Sequence, residues 1–200
     1  MKKPTAVAER RTPEKDIVEK FGPYDLVVRD LGGKHRGVLW KGGEQLVSVT
    51  AASNAEARAL LESRYYAMRD EQVAARGAVD LVDQTIATAL AFVWPHLNPG
   101  QKAMLLTQYH APLRRMTATE MANAAGYKTH SAVNLWYGKA GQMLFHEAPR
   151  RLPTGKDGRP VFSFTLSIEG EKPQDWVKKN WIWEMRPEVA RGLEIAAVIS

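Results

Sequence analysis

Two pairs of adjacent glycines constrain the fold of this chain more than any other feature of its sequence. Gly32-Gly33 and Gly42-Gly43 separate three runs of apolar and β-branched residues, which cover residues 24–31, 34–41 and 44–50. Paired glycines adopt the positive φ angles that two-residue hairpin turns require. The sequence therefore predicts an antiparallel meander of three strands.

Helices are predicted on both sides of the meander. Thr12 and Pro13 are typical of a helix N-cap and first turn, so a short helix is expected over residues 13–20. After the meander, a Ser-x-x-Glu capping box predicts a second helix over residues 54–76. The apolar stripe of that second helix is expected to contain Leu60, Leu61, Tyr65 and Met68.

The resulting α-β-β-β-α unit, residues 12–76, has the element order of a double-stranded-RNA-binding domain. Such domains carry several lysines at the start of the second helix, whereas this helix begins with Asn54 and Glu56 and has only Arg58 as a nearby cation. We therefore expect a structural or oligomerising role for the unit. Residues 1–11, which are polar and charged, are predicted to form a flexible arm.

The middle of the chain is markedly apolar. Residues 78–97 contain only Asp80 and Asp83 as charged residues, and they predict a helix that Pro95 ends or kinks. A helix of this composition must be covered on most sides. Residues 77–97 are therefore expected to connect the two halves of the chain or to form a dimer contact.

Three further helices are predicted over residues 98–110, 118–125 and 131–145. Each of the first two begins with a capping residue, and Gly126 stands where a left-handed C-cap is expected. The apolar stripe of the third helix is expected to contain Val133, Trp136 or Tyr137, Ala140 and Leu144. A helix, a short helix, a glycine-bearing turn and a further helix are the plan of a helix-turn-helix.

Two strands are predicted after these helices. Residues 161–168 alternate with a period of two, and residues 181–185 also resemble a strand. The loop between them contains Lys172, Trp176, Lys178 and Lys179. Two strands joined by a basic loop are typical of a winged helix, so residues 98–200 are expected to form a winged helix-turn-helix domain that closes with a helix over 187–196. The predicted fold class is α+β.

The charge balance indicates a polyanionic partner. The chain has 28 Lys and Arg against 22 Asp and Glu, which gives a formal net charge of +6. Residues 113–200, which form most of the predicted winged domain, contain 13 basic and 9 acidic side chains, so +4 of this excess lies there. A basic domain of this kind favours a nucleic acid as its partner.

The polar face of the third predicted helix supplies side chains that suit such a partner. Asparagine binds adenine through two hydrogen bonds, lysine and arginine bind phosphate, and serine and threonine bind either. The candidate nucleic-acid-binding residues are Arg114, Arg115, Lys128, Thr129, His130, Ser131, Asn134, Tyr137, Lys139, Lys172, Trp176, Lys178 and Lys179. Trp176 is a candidate for stacking on a base or sugar.

Several classes of site are missing from the sequence. There is no cysteine, which excludes disulfides, thiol catalysis and cysteine-ligated metals. The five histidines form no close metal-binding pair, and no glycine-rich phosphate loop is present. We therefore expect no catalytic activity, no cofactor and no metal. The lack of cysteine, of an apolar run of ~18 residues and of an apolar N-terminal stretch leads us to expect a cytoplasmic protein without membrane contact.

Three segments carry a resemblance to a bacterial module: 117–128 (TATEMANAAGYK), 132–139 (AVNLWYGK) and 181–190 (WIWEMRPEVA). The module is associated with HNH-endonuclease and modified-DNA restriction proteins and with uncharacterised bacterial and phage proteins. The resemblance covers about residues 100–199 and implies a winged-helix-like accessory domain that associates with nucleic acid. Lys128, Asn134, Tyr137 and Lys139 fall within the shared segments.

Together, these observations predict a non-catalytic protein that binds duplex DNA and acts as a regulator or as a specificity or anti-defence factor. RNA is a further candidate ligand. The alternative is a protein-interaction module, such as a mobile-element-encoded inhibitor or a complex subunit. In that case the apolar helix and the sheet edges would bind a protein partner or a second copy of the chain.

Overall fold

A computed structural model describes residues 14–76, 83–170 and 181–199 of the chain. It shows a mixed α+β protein that divides into two units, residues 1–68 and residues 69–200. Within the described residues, no helix combines the length and the apolar composition that crossing a bilayer requires.

Four antiparallel strands form the sheet of the first unit, in the order in which they occur along the chain. They are β1 (Ile17–Phe21), β2 (Tyr24–Asp30), β3 (His35–Lys41) and β4 (Glu44–Ala51). Strands β2 to β4 confirm the predicted meander. Gly32 and Gly33 have φ angles of 71° and 93°, and Gly42 and Gly43 have φ angles of 55° and 90°, so both pairs use a conformation that glycine adopts without strain.

The helix predicted over residues 13–20 is wrong, because β1 occupies the second half of that segment and residues 14–16 form no helix. The five residues of β1 pair with β2 along their whole length. The β-branched Ile17 and Val18 favour an extended backbone, and Gly22, with a φ angle of 61°, turns the chain into β2. Strand pairing outweighs the local helix-start pattern of residues 12–13, which lie outside the described residues. The first unit therefore has the order β-β-β-β-α.

A long helix, α1 (Asn54–Arg76), follows the sheet at the predicted position. Ser53 Oγ accepts a hydrogen bond from the backbone N–H of Glu56 at 3.1 Å, as the capping pattern predicts. Asn54 is buried; its Nδ2 donates to the carbonyl of Lys15 at 2.8 Å, and its Oδ1 accepts a hydrogen bond from His35 Nδ1 at 2.7 Å. These bonds join the start of α1 to β3 and to the segment that precedes β1.

The buried stripe of α1 contains Leu61 and Tyr65, as predicted, but not Leu60. The fully buried apolar residues of the helix lie four residues apart, and they are Ala57, Leu61 and Tyr65. Leu60 is 45% exposed and Met68 is half-buried, so placing Leu60 in the stripe is wrong. The Tyr65 ring packs edge-to-face on Phe21 of β1, with the ring centroids 5.5 Å apart. Helix α1 therefore covers the face of the sheet that carries the Phe21 side chain.

The described part of the second unit combines helices with a small antiparallel sheet. Its helices are α2 (Asp83–Val93), α3 (Pro99–His110), α4 (Ala118–Ala125), α5 (His130–Glu147) and α6 (Pro187–Ile195). Its strands are β5 (Arg115–Thr117), β6 (Ser167–Glu169) and β7 (Ile182–Met185), in the spatial order β5-β7-β6. Short 3-10 helices occupy Trp94–His96, Pro112–Arg114 and Phe162–Thr165.

Helix α2 forms the C-terminal part of the apolar segment predicted over 78–97, whose first residues lie outside the described ranges. Its Ile86 and Leu90 are buried. A Cβ atom added to Gly192 of α6 would come within 2.6 Å of the Ile86 side chain, so the two helices approach closely. The apolar side of α2 is thus covered within the second unit. Pro95 stands in the 3-10 helix that directly follows α2.

The predicted helix starts at Asn98 and Thr117 are confirmed. Asn98 Oδ1 accepts a hydrogen bond from the Gln101 N–H, and Gln101 Oε1 accepts one from the Asn98 N–H, both at 2.9 Å. Thr117 and Glu120 form the same reciprocal pair at the start of α4. Gly126 ends α4 with a φ angle of 70°, as a left-handed C-cap should.

The strand predicted over residues 161–168 is largely wrong. Residues Phe162–Thr165 form a 3-10 helix, and only Ser167–Glu169 pair with β7. The Phe162 ring packs on Phe145 of α5 at 5.4 Å between centroids, and the Phe164 ring packs on Trp183 of β7 at 5.3 Å. The alternating phenylalanines therefore reach the core from a tight turn instead of a strand, because their packing partners lie on two different elements.

Candidate nucleic-acid interface

The inner face of α5 anchors this helix in the core of the second unit. Thr129 caps the helix, with its Oγ1 accepting a hydrogen bond from the Ala132 N–H at 3.3 Å. The buried residues of its inner stripe include those predicted from the apolar spacing, which are Val133, Tyr137, Ala140 and Leu144. Of the two alternatives at 136 and 137, Tyr137 is 1% exposed and Trp136 is half-buried. The orientation of α5 about its axis is therefore set by the core.

A buried ring of hydrogen bonds joins α5 to the neighbouring elements. Tyr137 Oη donates to Gln108 Oε1 of α3 at 2.6 Å, and it lies 2.5 Å from Ser167 Oγ of β6. Gln108 Nε2 donates to Ser167 Oγ and to the carbonyl of Trp183 in β7, both at 3.1 Å. With the Tyr137 proton directed at Gln108, Ser167 donates to Tyr137 and the ring closes. Burial raises the pKa of Tyr137, so its hydroxyl keeps its proton.

This ring corrects one of the predicted contact residues. Tyr137 was a candidate for binding nucleic acid, but its side chain is buried and its hydroxyl is used inside the unit. It holds α3, α5 and β6 together and presents no surface to a ligand. Gln101 of α3 adds a further tie, because its Nε2 donates to the carbonyl of Trp136 at 3.0 Å.

The outer face of α5 and the turn before it carry the remaining candidates from this region. All six are exposed: Lys128, Thr129, His130, Ser131, Asn134 and Lys139. The Lys139 ammonium lies 4.5 Å from the centroid of the Trp136 ring, which orients it through a cation–π contact. The sequence has no Asp or Glu between Glu120 and Glu147. The outer face is therefore polar and cationic, without a carboxylate of its own.

The two arginines before α4 are engaged with carboxylates of their own unit. Arg115 Nε donates to Glu184 Oε2 at 2.8 Å, from β5 across to β7. Arg114 lies 3.5 Å from a carboxylate oxygen of Glu194 and its guanidinium stands 5.2 Å from the ring centroid of Tyr109. Their charges are matched locally, so they contribute less to an attractive field than the sequence alone suggests. The four candidates of the predicted wing, Lys172, Trp176, Lys178 and Lys179, lie outside the described residues.

Sequence reasoning missed two residues on the outer face of α5. Leu135 is 54% exposed, and Gly138 has open space where a side chain would be. The apolar spacing of the inner stripe already excluded position 135 from the core, so an unexplained leucine on the polar face was detectable. Nothing in the sequence distinguished Gly138 from a glycine that is needed for packing.

Metal binding finds no support in the part of the chain that the structure describes. No group of three or more His, Asp or Glu side chains there is arranged to hold a metal ion. His146 is buried near the C-terminal end of α5. Burial first, and the positive charge of Arg69 second, lower the pKa of His146 to about 3. This imidazole is therefore neutral near pH 7 and belongs to the core.

No protein-family model matches the sequence, and no curated protein or solved structure is significantly similar to it. The likeness of residues 100–199 to nuclease-associated modules stays a resemblance. The case for function therefore rests on the geometry of α5 and its surroundings.

Proposed function

We propose that the second unit binds duplex DNA without catalysing a reaction on it, and that the N-terminal half of α5 enters the major groove. One observation carries the proposal. The six polar and cationic candidates from Lys128 to Lys139 are all exposed, on α5 or on the turn before it, and the opposite face of this helix is fixed in the core. A rigid helix with a polar outer face is what major-groove binding needs.

The order of elements around α5 supports this proposal. Helix α3, strand β5, helices α4 and α5, and strands β6 and β7 follow one another, and β7 lies between β5 and β6. This succession is typical of winged-helix proteins, in which the last two strands form the wing. The wing of this chain would be the segment between Gly170 and Trp181, whose sequence contains three lysines.

The chemistry of the outer face fits a division between phosphate and base contacts. Lys128 and Lys139 supply charge for the phosphate backbone, whereas Thr129 and Ser131 supply hydroxyl groups for phosphate or base edges. Asn134 stands one turn into the helix and has the amide that pairs with adenine. We propose a role as a regulator, or as a specificity or anti-defence factor, because the outer face offers binding groups and no catalytic constellation.

The test is a gel-shift titration with duplex fragments at low salt and at ~150 mM salt, since released counterions make such binding salt-dependent. Lys128→Ala combined with Asn134→Ala is expected to weaken binding by about tenfold or more and to make the salt dependence shallower. The matched control is Lys34→Ala with Gln45→Ala, which changes an exposed lysine and an exposed amide of the first unit. Equal affinities for the two double variants would contradict the proposal, as would a wild-type protein that binds no duplex.

A second candidate function is association with a protein, favoured by the edge strand β1. This strand pairs with β2 alone among the described strands, and its Val18 is 71% exposed. Exposed edges with apolar side chains are templates for pairing with another chain. Val18→Lys is expected to shift the protein toward the monomer in sedimentation velocity; a wild-type protein that is already monomeric at high concentration would contradict self-association.

A further inference from the structure

The outer face of α5 contains one large apolar side chain among polar neighbours. Leu135 is 54% exposed, and the exposed Ser131, four residues before it, lies on the same face of the helix. It is not among the side chains that pack against the core of the second unit. A single exposed leucine is common on protein surfaces, so its meaning depends on what stands next to it.

The neighbour is Gly138, which follows Leu135 by one turn of the helix. No atom lies within 4 Å of the position that a Cβ would take there. Glycine in a helix interior is unfavourable relative to alanine, and this cost normally has a packing reason. Gly141, three residues on, has such a reason, because a Cβ there would overlap the backbone carbonyl of Phe162. Among the described residues, Gly138 has none.

The exposed Leu135 and the uncovered backbone at Gly138 together form a small apolar patch. The helix surface around this patch is polar and cationic. Lys128 precedes these residues in the sequence and Lys139 directly follows them, and no Asp or Glu stands between Glu120 and Glu147. A partner that fits this surface is anionic, comes close to the backbone at Gly138 and presents a small apolar group to Leu135. In the major groove of duplex DNA, the apolar group on the base edges is the methyl at C5 of a pyrimidine.

We propose that Leu135 contacts the C5-methyl group of a pyrimidine in the major groove and that Gly138 lets the helix approach closely enough for this contact. The inference rests on the proposed binding of duplex DNA and names the base feature that α5 recognises. Thymine carries this methyl group, and so does 5-methylcytosine. Lys128 and Lys139 then hold the flanking phosphates, and Asn134 contacts the adjacent base pair.

The experiment removes single methyl groups from DNA. Duplexes with a randomised core are selected on the wild-type protein, once with ordinary cytosine and once with 5-methylcytosine throughout. In the enriched duplexes each thymine is then replaced by uracil, or each 5-methylcytosine by cytosine, and affinities are measured by fluorescence anisotropy. The protein variants are Leu135→Ala and, as the control, Leu60→Ala, an exposed leucine of α1 in the first unit.

At one pyrimidine position, loss of the methyl group is expected to weaken binding by wild type and by Leu60→Ala by about fourfold, the effect of burying one such group. The Leu135→Ala variant should bind more weakly than wild type and show no further loss at that position, because the two changes remove one contact. Dependence on thymine or on 5-methylcytosine identifies the source of the methyl group.

Two results would overturn the inference, and they differ in what else they overturn. Methyl removal that affects wild type and Leu135→Ala equally at every position refutes the contact but leaves the binding of duplex DNA intact. A wild-type protein that enriches no duplex and retains none at low salt refutes both.

Discussion

Helix α5 contains two glycines one turn apart, Gly138 and Gly141, and their surroundings are opposite. At Gly141 the backbone of residues 162–163 lies so close that no side chain fits, whereas at Gly138 the space is open. The inner face accordingly carries packing and buried hydrogen bonds, and the outer face carries exposed polar groups. Changes on the inner face should therefore lower stability, and changes on the outer face should weaken binding without lowering stability.

The largest effect is expected from Gly141→Ala. The new methyl group would overlap the Phe162 carbonyl oxygen, and a backbone atom cannot rotate away as a side chain can. We expect the free energy of unfolding to fall by about 3 kcal/mol, the upper end of ordinary overpacking. Denaturant unfolding followed by circular dichroism measures it, with Gly138→Ala as the control. Equal stability of the two variants would show that Gly141 is packed no more tightly than Gly138.

A pH-dependent loss of stability is expected from His146. The pKa of His146 is lowered to about 3 in the folded protein, against about 6.5 in an unfolded chain. Between these two pH values the unfolded state binds a proton that the folded state does not. The contribution of His146 to the free energy of unfolding is therefore fully present above about pH 6.5, and it falls as the pH drops toward 3. The expected loss between pH 7 and pH 5 is about 2 kcal/mol.

The same denaturant titrations on His146→Gln isolate this contribution from that of other groups. The variant should lose less stability than wild type over that pH interval, because its side chain does not titrate. Parallel pH profiles for the two proteins would contradict a buried neutral imidazole at position 146.

A smaller loss is expected from Tyr137→Phe. The substitution keeps the ring but removes the hydroxyl that Gln108 and Ser167 use, and leaves those buried groups short of a partner. A cost of about 1–2 kcal/mol is typical of such a deletion. Tyr127→Phe is the control, because the Tyr127 hydroxyl is 3.5 Å from its partner and only partly buried. If both variants lose the same stability in thermal unfolding, the buried hydrogen bonds of Tyr137 stabilise the fold no more than the partly buried one of Tyr127.

The smallest effect on stability, of opposite sign, is expected from Gly138→Ala. Alanine is the better helix former, and nothing within 4 Å opposes its methyl group, so a gain of about 0.5–1 kcal/mol is expected. A rise in melting temperature together with weaker binding of duplex DNA would show that Gly138 serves binding and not folding. A fall in melting temperature would show that Gly138 serves packing after all.

Local patterns predicted the elements that depend on neighbours in sequence. The glycine pairs after β2 and β3 turn the chain as expected, and the caps at Asn98 and Thr117 form the hydrogen bonds that their spacing implies. In each case the residues that determine the local structure lie within a few positions of one another along the chain. The polar face of α5 was predictable for the same reason, since a helical period assigns every residue to a face.

The failures share a dependence on partners far along the chain. Residues 17–21 became a strand because β2 was there to pair with them, despite a helix-start pattern just before. Residues 162–165 alternate like a strand, yet the contacts of their phenylalanines with Phe145 and Trp183 favoured a 3-10 helix. The sequence made Tyr137 a candidate both for the core and for contact with nucleic acid. Its hydroxyl bonds with Gln108 and Ser167, which are distant in sequence, place it in the core.

The sequence by itself determined where helices begin, where hairpins turn and which residues of α5 share a face, because those properties follow from backbone preferences and hydrogen bonds over a few residues. Tertiary structure alone decided which of the two α5 glycines is needed for packing, which arginines are matched by carboxylates and whether Trp136 or Tyr137 is buried. Those outcomes depend on atoms from elements that are distant in sequence, and only the folded chain brings them within contact distance.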